Sequence, residues 1–547
     1  MNLMYLAQSG LSSAQNALNV VGNNLSNSMT PGYSRQSIIL GEAGGRTAGN
    51  GYFGYGVQVV GVERAYNSFI NNQVRSAATE YQSLASRFEQ LSQIDNMLGD
   101  DTSNISVSMN NIFSAMEKVS SDPVSQAARQ ETLAQLQATA QQYRSTSKTL
   151  NGLEQSTNTQ ITQSVNAINS AASQLARLNE SIEKIQGQTG TLPPDLLDQR
   201  DALLDTLNDQ IGIRVNEDPV TGRVDVTMAN GLPLVNGNKS YELEASPSAA
   251  DPSKTVVSYV DASGNSLLLD ESKFTTGKLG GLFTFRNEDL PAARDRLNQL
   301  ALQMAHRFNE VNQAGYDIHG NPGEALFSIP DPTAIANRNN SGTADLEFSW
   351  ADASKVTPED YTITFTGPND TDWKITDSEG NTVQYTVGTN DEITFDGLTF
   401  TVKGTPTKDD SFSLNSVAGV ASGLTVNITD GAKIAASSSS DPDDESNNEN
   451  IKALIDIKNE KLIDKSTLTE AYAALVSSVG AEMTTLKSAA SSSAKSYEQM
   501  LYQQQSVSGV DINEEYINLQ MFTQYYQANA QVLQAATTLF DTLLSIR

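Results

Sequence analysis

The chain of 547 residues contains no cysteine. Disulfides, thiol nucleophiles and thiolate metal sites are therefore excluded together. Histidine and tryptophan are scarce, with two of each, and 35 basic side chains face 64 acidic ones, a formal net charge of −29. That balance argues against nucleic acid or an anionic membrane surface as a partner. No apolar run is long enough to span a bilayer, so membrane insertion is not expected. The N-terminus also lacks the basic start and compact apolar core of a secretory signal peptide. Charge is absent locally as well, because the first charged side chain is Arg35.

Heptad spacing takes the place of charge at both ends. Met4, Ala7, Leu11, Ala14, Leu18, Val21 and Leu25 fall in steps of three and four. Leu519, Phe522, Tyr526, Asn529, Leu533, Ala536, Phe540 and Leu543 repeat those steps. This is the seam of a coiled coil, with Asn529 as the single polar entry that fixes register. Tyr525 and Tyr526 beside Gln524 and Gln527 give the C-terminal helix a face that hydrogen-bonds as well as packs. Two such helices meet only if the chain doubles back, and a two-helix ribbon is marginal alone. The expectation is that both ends are disordered in the monomer and fold on assembly.

Between the ends the periodicity changes twice. Pro31-Gly32 breaks the first helix, and a glycine-rich stretch with a short strand at 55–60 follows. Helical spacing returns over 66–99, 105–119, a third segment from Pro123, a fourth over 161–187 and a fifth over 195–212. From Ile213 the pattern alternates, with Asn230-Gly231 as a hairpin turn and strands at 255–260 and 266–269. A helix over 297–311 intervenes. A second β region runs from 345 to 415, with strands at 361–365, 382–387, 393–400 and 411–414. The acidic stretch 437–450 reads as a loop, and the remainder is helical. The fold class is α+β multidomain, with a discontinuous terminal coiled coil, a helical rod domain and two central mainly-β domains. The expected domains are 1–60 with 500–547 as terminal core; 61–210 with 281–330 and 450–499 as helical rod; 211–280 with 416–449 as first β domain; and 340–415 as second.

Catalytic material is thin. His306 lies off the apolar face of its helix and reads as a solvated histidine. His319 sits in DIHGNPGE, which has Pro322 and Ser328 where a calcium loop needs Gly and Glu, so it reads as a turn. Neither histidine has a neighbour at zinc-ligand spacing. The acidic run 441–449 reads as a solvated loop, and its capacity for cations stays open. No phosphate-binding glycine loop is present. Paired carboxylates of a glycosidase are not excluded, but nothing singles out a pair. The expectation is no enzyme, no cofactor and no metal.

NNLSNSMTPGYSRQ, residues 23–36, resembles the N-terminal signature of the bacterial flagellar rod, hook and hook-associated axial protein family. The matching positions are Asn23, Asn24, Leu25, Asn27, Thr30, Pro31, Gly32, Tyr33 and Arg35. Residues 508–547 are similar to that family's C-terminus. LLDQRDALLDTL (196–207) and VTMANGLPLV (226–235) look like its hook–filament junction members, as does PGYSRQ, where hook and rod relatives usually carry Gly-Phe-Lys. The resemblance spans roughly residues 1–320 and 450–547; the 340–430 region carries no recognised motif.

The resemblance implies a structural subunit of the external flagellum, exported unfolded without a cleaved signal peptide, aided by an export chaperone. Its partners would be the hook protein, a second junction protein on the filament side, and further copies of itself in a ring or tube. The implied interface sets Leu11, Leu18, Val21 and Leu25 against Leu519, Phe522, Tyr526, Asn529, Leu533, Phe540 and Leu543. Pro31-Gly32-Tyr33 would turn the chain outward from that core. The alternatives are another axial protein, hook or distal rod, and a secreted carboxylate glycosidase on a flagellar scaffold.

Overall fold

In the computed structural model, which describes residues 2–49, 51–100, 104–441 and 443–545, the chain leaves and re-enters one terminal helical pair. Helix α1 (Asn2–Asn27) ends before the Pro31-Gly32 turn, where Gly32 adopts φ +77°. A ribbon follows, in which β1 (Gln36–Glu42) pairs antiparallel with β4 (Val57–Arg64), and β2 (Gly45–Ala48) with β3 (Gly51–Gly54). The helical body begins with α2 (Ser68–Leu98), whose first amides are capped by the Asn67 side chain. It continues through α3 (Ile105–Ser121), α4 (Gln126–Thr189) and α5 (Pro194–Gln210).

Helix α4 is one uninterrupted helix of 64 residues, where the sequence pattern suggested two. Gly152 lies on its exposed side with open space around it. The roughly 1 kcal/mol that a mid-helix glycine costs is small beside the burial of Leu150 and Leu153 on either side. Among the described residues the helix then contributes to two hydrophobic cores.

The first β region lies against the C-terminal half of α4. Its sheets are β5 (Ile213–Glu217), β6 (Val224–Met228), β7 (Pro233–Asn236) and β8 (Lys239–Ser240), and then β9 (Glu242–Pro247), β10 (Thr255–Val260) and β11 (Ser266–Leu268). Gly231 takes φ +86° at the hairpin between β6 and β7. Three asparagines on α4 dock these strands. Asn158 donates to Ser253 O and accepts from Thr255 N. Asn169 bonds both N–H and C=O of Leu243 at 2.9 and 2.8 Å. Asn179 does the same to Val224 and also reaches Gly237 O. A carboxamide carries a donor beside an acceptor, so each one satisfies a strand's backbone groups as a neighbouring strand would. Their spacing of about three helical turns keeps them on one face.

Helix α6 (Gly277–Thr284) passes through a π-turn at Phe285–Asp289 into α7 (Leu290–Ala314). There the buried Arg286 bonds Thr255 O, Asn158 and Glu271, tying the π-turn to β10 and α4. After β12 (Phe327–Ser328) comes a two-sheet sandwich. One sheet holds β13 (Ile335–Ala336), β15 (Asp360–Phe365), β16 (Trp373–Thr376), β17 (Thr382–Val383) and β21 (Ser411–Asn415). The other holds β14 (Asp345–Trp350), β18 (Thr386–Val387), β19 (Ile393–Phe395) and β20 (Leu398–Lys403). Trp373 stacks edge-on against Phe400 across the interface, with ring centroids 5.8 Å apart. The single strand expected at 382–387 is split between the two sheets. The one at 393–400 is a hairpin turned by Asp396-Gly397, both at positive φ.

Residues 416–449 do not belong with the first β region, where the sequence reading put them. Helix α8 (Val420–Gly423) and β22 (Thr425–Val426) pack against α4 and α7, and β22 pairs with β12. Val420, Leu424, Ile428 and Ile434 are buried in the core that contains α3, α4 and α7. Asn298 and Asn312 of α7 accept from Ala421 N and Ala435 N. The chain returns through α9 (Glu449–Asp456), α10 (Leu468–Ser508), which lies along α2, and α11 (Ile512–Ser545), which lies along α1.

Candidate assembly core

The α1–α11 pair closes on small side chains. Ala7, Gly10, Ala14, Ala17 and Val21 are buried. Leu11, Leu18 and Leu25 are half-buried at its flank, and Met4 is exposed. The buried stripe on α1 is therefore shifted by one position at alternate steps from the leucine seam that hydropathy suggested. Gly10 and Ala17 let the neighbouring backbone come closer than a leucine allows, which leaves the leucines at the margin. On α11, Leu519, Phe522, Asn529 and Leu533 are half-buried, while Tyr526 and Phe540 are exposed; the Leu543 side chain lies outside the described residues. Asn529 donates to Tyr525 O on its own helix at 2.9 Å, and a β-carbon placed on Gly10 would meet its Oδ1 at 2.2 Å. Its influence on register is thus steric, a polar side chain set over a glycine.

The turn after α1 is organised by Asn24, which is fully buried. Its Oδ1 accepts from Tyr33 Oη at 2.8 Å and from Gln36 N at 2.9 Å, and its Nδ2 donates to Gln36 O at 2.9 Å. Asn23 and Asn27 pair at 2.9 Å, and Thr30 donates to Asn27 Oδ1 at 3.2 Å, closing the frayed end of the helix. Pro31 and Gly32 form the exposed bend. Arg35 bonds Ser508 O through its backbone and Glu514 through its guanidinium, at 2.8 and 2.7 Å, so the turn is held to the start of α11.

Acids on α5 hold the same turn from the other side. Asp198 accepts from Ser34 N at 3.0 Å and Asp195 from Gln36 Nε2 at 2.6 Å. Arg64, at the end of β4, bridges Asp198 and Asp201 at 2.8 and 2.6 Å. The DLLDQRD stretch and the PGYSRQ stretch, some 160 residues apart, thus form one joint. Burial, with Asp195, Asp198 and Glu515 nearby, pushes the Tyr33 phenol well above its ordinary range and keeps it a hydrogen-bond donor. Gly10, Ala17, Arg64, Asp195 and Asp198 were missed by the sequence reading. The 3-4-3 spacing of Ala7, Gly10, Ala14 and Ala17 was the available signal for two of them.

A second apolar stripe remains uncovered. Ile517, Met521, Tyr525, Val532 and Leu539 are exposed on α11, the last four each one position before a member of the seam expected against α1. One position is about 100° around a helix, so α11 presents two apolar faces while α1 covers one. The other candidates are scattered: His306 is half-buried, His319 is exposed, and Asp317 is occupied by backbone bonds of its own turn. Among the described residues no three metal-ligating side chains converge.

Comparison with known proteins bears on the same elements. The model for the helical domain of flagellar hook-associated protein FlgK matches residues 91–327. The chain is 41% identical over 550 residues to flagellar hook-associated protein 1 of Escherichia coli, covering all of both chains. The chain belongs to the flagellar hook-associated protein 1 family. The Salmonella typhimurium member is 42% identical over 555 residues, again covering both chains in full. The flagellar hook junction protein FlgK of Burkholderia pseudomallei, 26% identical, superimposes with a TM-score of 0.71 over 80% of this chain and all of its own. Within this hook-associated protein 1 family member, α1 and the asparagine turn fall in a basal-body rod protein match at 4–33. Helix α11 falls in a rod-protein C-terminal match at 503–546. The sandwich that carried no recognised motif matches the family's D2-like domain over 335–416.

Proposed function

We infer that this protein is the structural subunit that joins hook to filament in the bacterial flagellum. The observation that carries the reading is the α1–α11 pair: nearly free of charge, closed on small residues along one face, and apolar but uncovered along another. A monomer gains nothing from that second face, whereas laterally packed copies bury it. Full-length similarity to hook-associated protein 1 favours this position over the hook, rod and glycosidase alternatives. The role is not enzymatic. The partners are the hook protein, a second junction protein on the filament side, further copies of the chain, and an export chaperone before assembly. The protein works outside the cell, as part of the flagellum.

Incubating the purified chain with isolated bare hooks and imaging their ends tests this directly. Caps that support filament growth after addition of flagellin and the second junction protein are expected. Tubes of the chain alone, or bare hook ends, would place it elsewhere on the axis. Leu533→Asp sets a charge in the α1–α11 seam and is expected to abolish capping with the outer domains still folded. Amide exchange over residues 3–27 is expected to be fast in the monomer and slow in caps.

A further inference from the structure

Helix α7 meets the sandwich through two acids served by one amide. Asn415, at the end of β21, donates from its Nδ2 to Asp295 Oδ1 of α7 at 3.2 Å and to Asp360 Oδ1 of β15 at 2.8 Å. Its own Oδ1 accepts from Val417 N at 3.2 Å, which fixes the amide with both protons toward the acids. Asp360 stands opposite Asn415 in the antiparallel register, so the sheet carries the two to α7 together. The cations around the pair are already engaged. Arg294 bonds Glu154 of α4 at 2.8 Å, Arg296 bonds Asp464 at 2.6 Å, and Lys254, just before β10, lies 4.0 Å from Asp251. Glu359, next to Asp360, accepts from Ser378 N at 3.0 Å. Two turns farther along α7, Gln303 donates to Ala353 O at 2.8 Å, and Ala353 and Val356 are buried in the core shared with that helix. The sandwich is thus seated on α7 at one point by packing and at another by a cluster of acids.

The protonation state of Asp295 decides how that cluster behaves. Asp295 is half-buried and Asp360 exposed, so the two carboxyls do not ionise alike. Burial pushes Asp295 up to about 6; Arg294 and Lys254 oppose the rise and Asp360 adds to it. When Asp295 is protonated, its hydroxyl is a second donor, and one negative charge meets two donors. When it is ionised, two like charges converge on a single amide, and each is weakly opposed by cations bound elsewhere. The folded carboxyl titrates above its unfolded value, so the closed arrangement holds a proton that it releases as pH rises through about 6, and the contact weakens in that direction. We propose that Asp295, Asn415 and Asp360 form a proton-operated latch, which fastens the β15–β21 end of the sandwich to α7 in mildly acidic medium and loosens it at neutral pH. The Gln303–Ala353 contact is the pivot about which that end moves. The latch does not rest on the junction-subunit reading.

Because the chain has no cysteine, one spin label can be set on each side of the latch. Thr159→Cys on α4 and Lys374→Cys on β16, both exposed positions, are labelled in the full-length chain, and their separation is measured by pulsed dipolar electron spin resonance. One narrow separation is expected at pH 5. At pH 7.5 a second population is expected, about threefold or more larger than at pH 5, with its midpoint near pH 6. Asp295→Asn keeps a permanent donor toward Asp360 and is expected to hold the narrow separation at both pH values. Asp360→Asn removes the repulsion from the other side and is expected to do the same. An identical distribution at pH 5 and pH 7.5 in the labelled parent would overturn the proposal. So would a pH response that survives in Asp295→Asn, which would point to Asp209 of α5, a carboxyl that burial also raises to about 6.

Discussion

Gly10 of α1 lies under Asn529 of α11 so closely that a β-carbon on the glycine would sit 2.2 Å from the asparagine's Oδ1. The two residues are 519 positions apart, and their contact sets the depth to which the terminal helices approach.

Gly10→Val should therefore force the helices apart. As glycine is a poor helix former, the substitution improves local helix propensity by a few tenths of a kcal/mol while removing the close approach. Thermal unfolding of the outer domains is expected to be unchanged and capping of bare hooks lost. Capping at the unmodified level would show that the pair tolerates a wider separation.

Asn179 is fully buried and makes three bonds to β6 and the turn after β7. Replacing it by Leu strands one backbone donor and two acceptors in the core, at about 1–3 kcal/mol for each group left without a partner. Urea unfolding should show the first β region separating from α4 at lower denaturant, with faster exchange at Val224. An unshifted transition would mean that packing, not the carboxamide, holds the sheet.

Burial raises Asp295 of α7 to about 6, with Asp360 adding to it and Arg294, Asn415 and Lys254 opposing. The unfolded chain ionises this carboxyl nearer 4, so the folded state binds the extra proton between those values and loses stability as pH rises through them. Asp295→Asn should be more stable than the parent at pH 7.5, by on the order of 1–3 kcal/mol, with the difference vanishing below about pH 4. Equal stability at pH 7.5 would show that the side chain is solvated when ionised.

Tyr143 of α4 is fully buried, and its hydroxyl has no hydrogen-bond partner among the described residues. Tyr143→Phe keeps the ring and removes an unpaired polar group, so the helical domain should gain about 1 kcal/mol. A loss of stability of that size in urea titration would reveal a partner for the hydroxyl.

How legible the fold was differs by element. Strand β10 at 255–260 and the turn at Asn230-Gly231 were readable because alternation and turn chemistry are local. Helix α4 reads as two segments in the sequence because a clear apolar period is marked only from Ile161, whereas in the structure the helix continues unbroken from Gln126 to Thr189. Residues 416–449 misled because short apolar pieces do not announce which distant helix will cover them. In the terminal seam, hydropathy pointed to Leu11 and Leu18, whereas packing put Gly10 and Ala17 inside.

The sequence alone determined the helical ends with their shared heptad step, the lack of charge before Arg35, the alternation of helical and β segments, and the asparagine-rich turn. Those properties reside in the chemistry and spacing of neighbouring residues. Only the tertiary structure decided which helix face closes, that Asp195 and Asp198 grip the turn made by Asn24 and Tyr33, and that α4 docks a sheet through three asparagines. Those are matters of distance between residues far apart in the chain, set by backbone approach and by the need of every buried polar group for a partner.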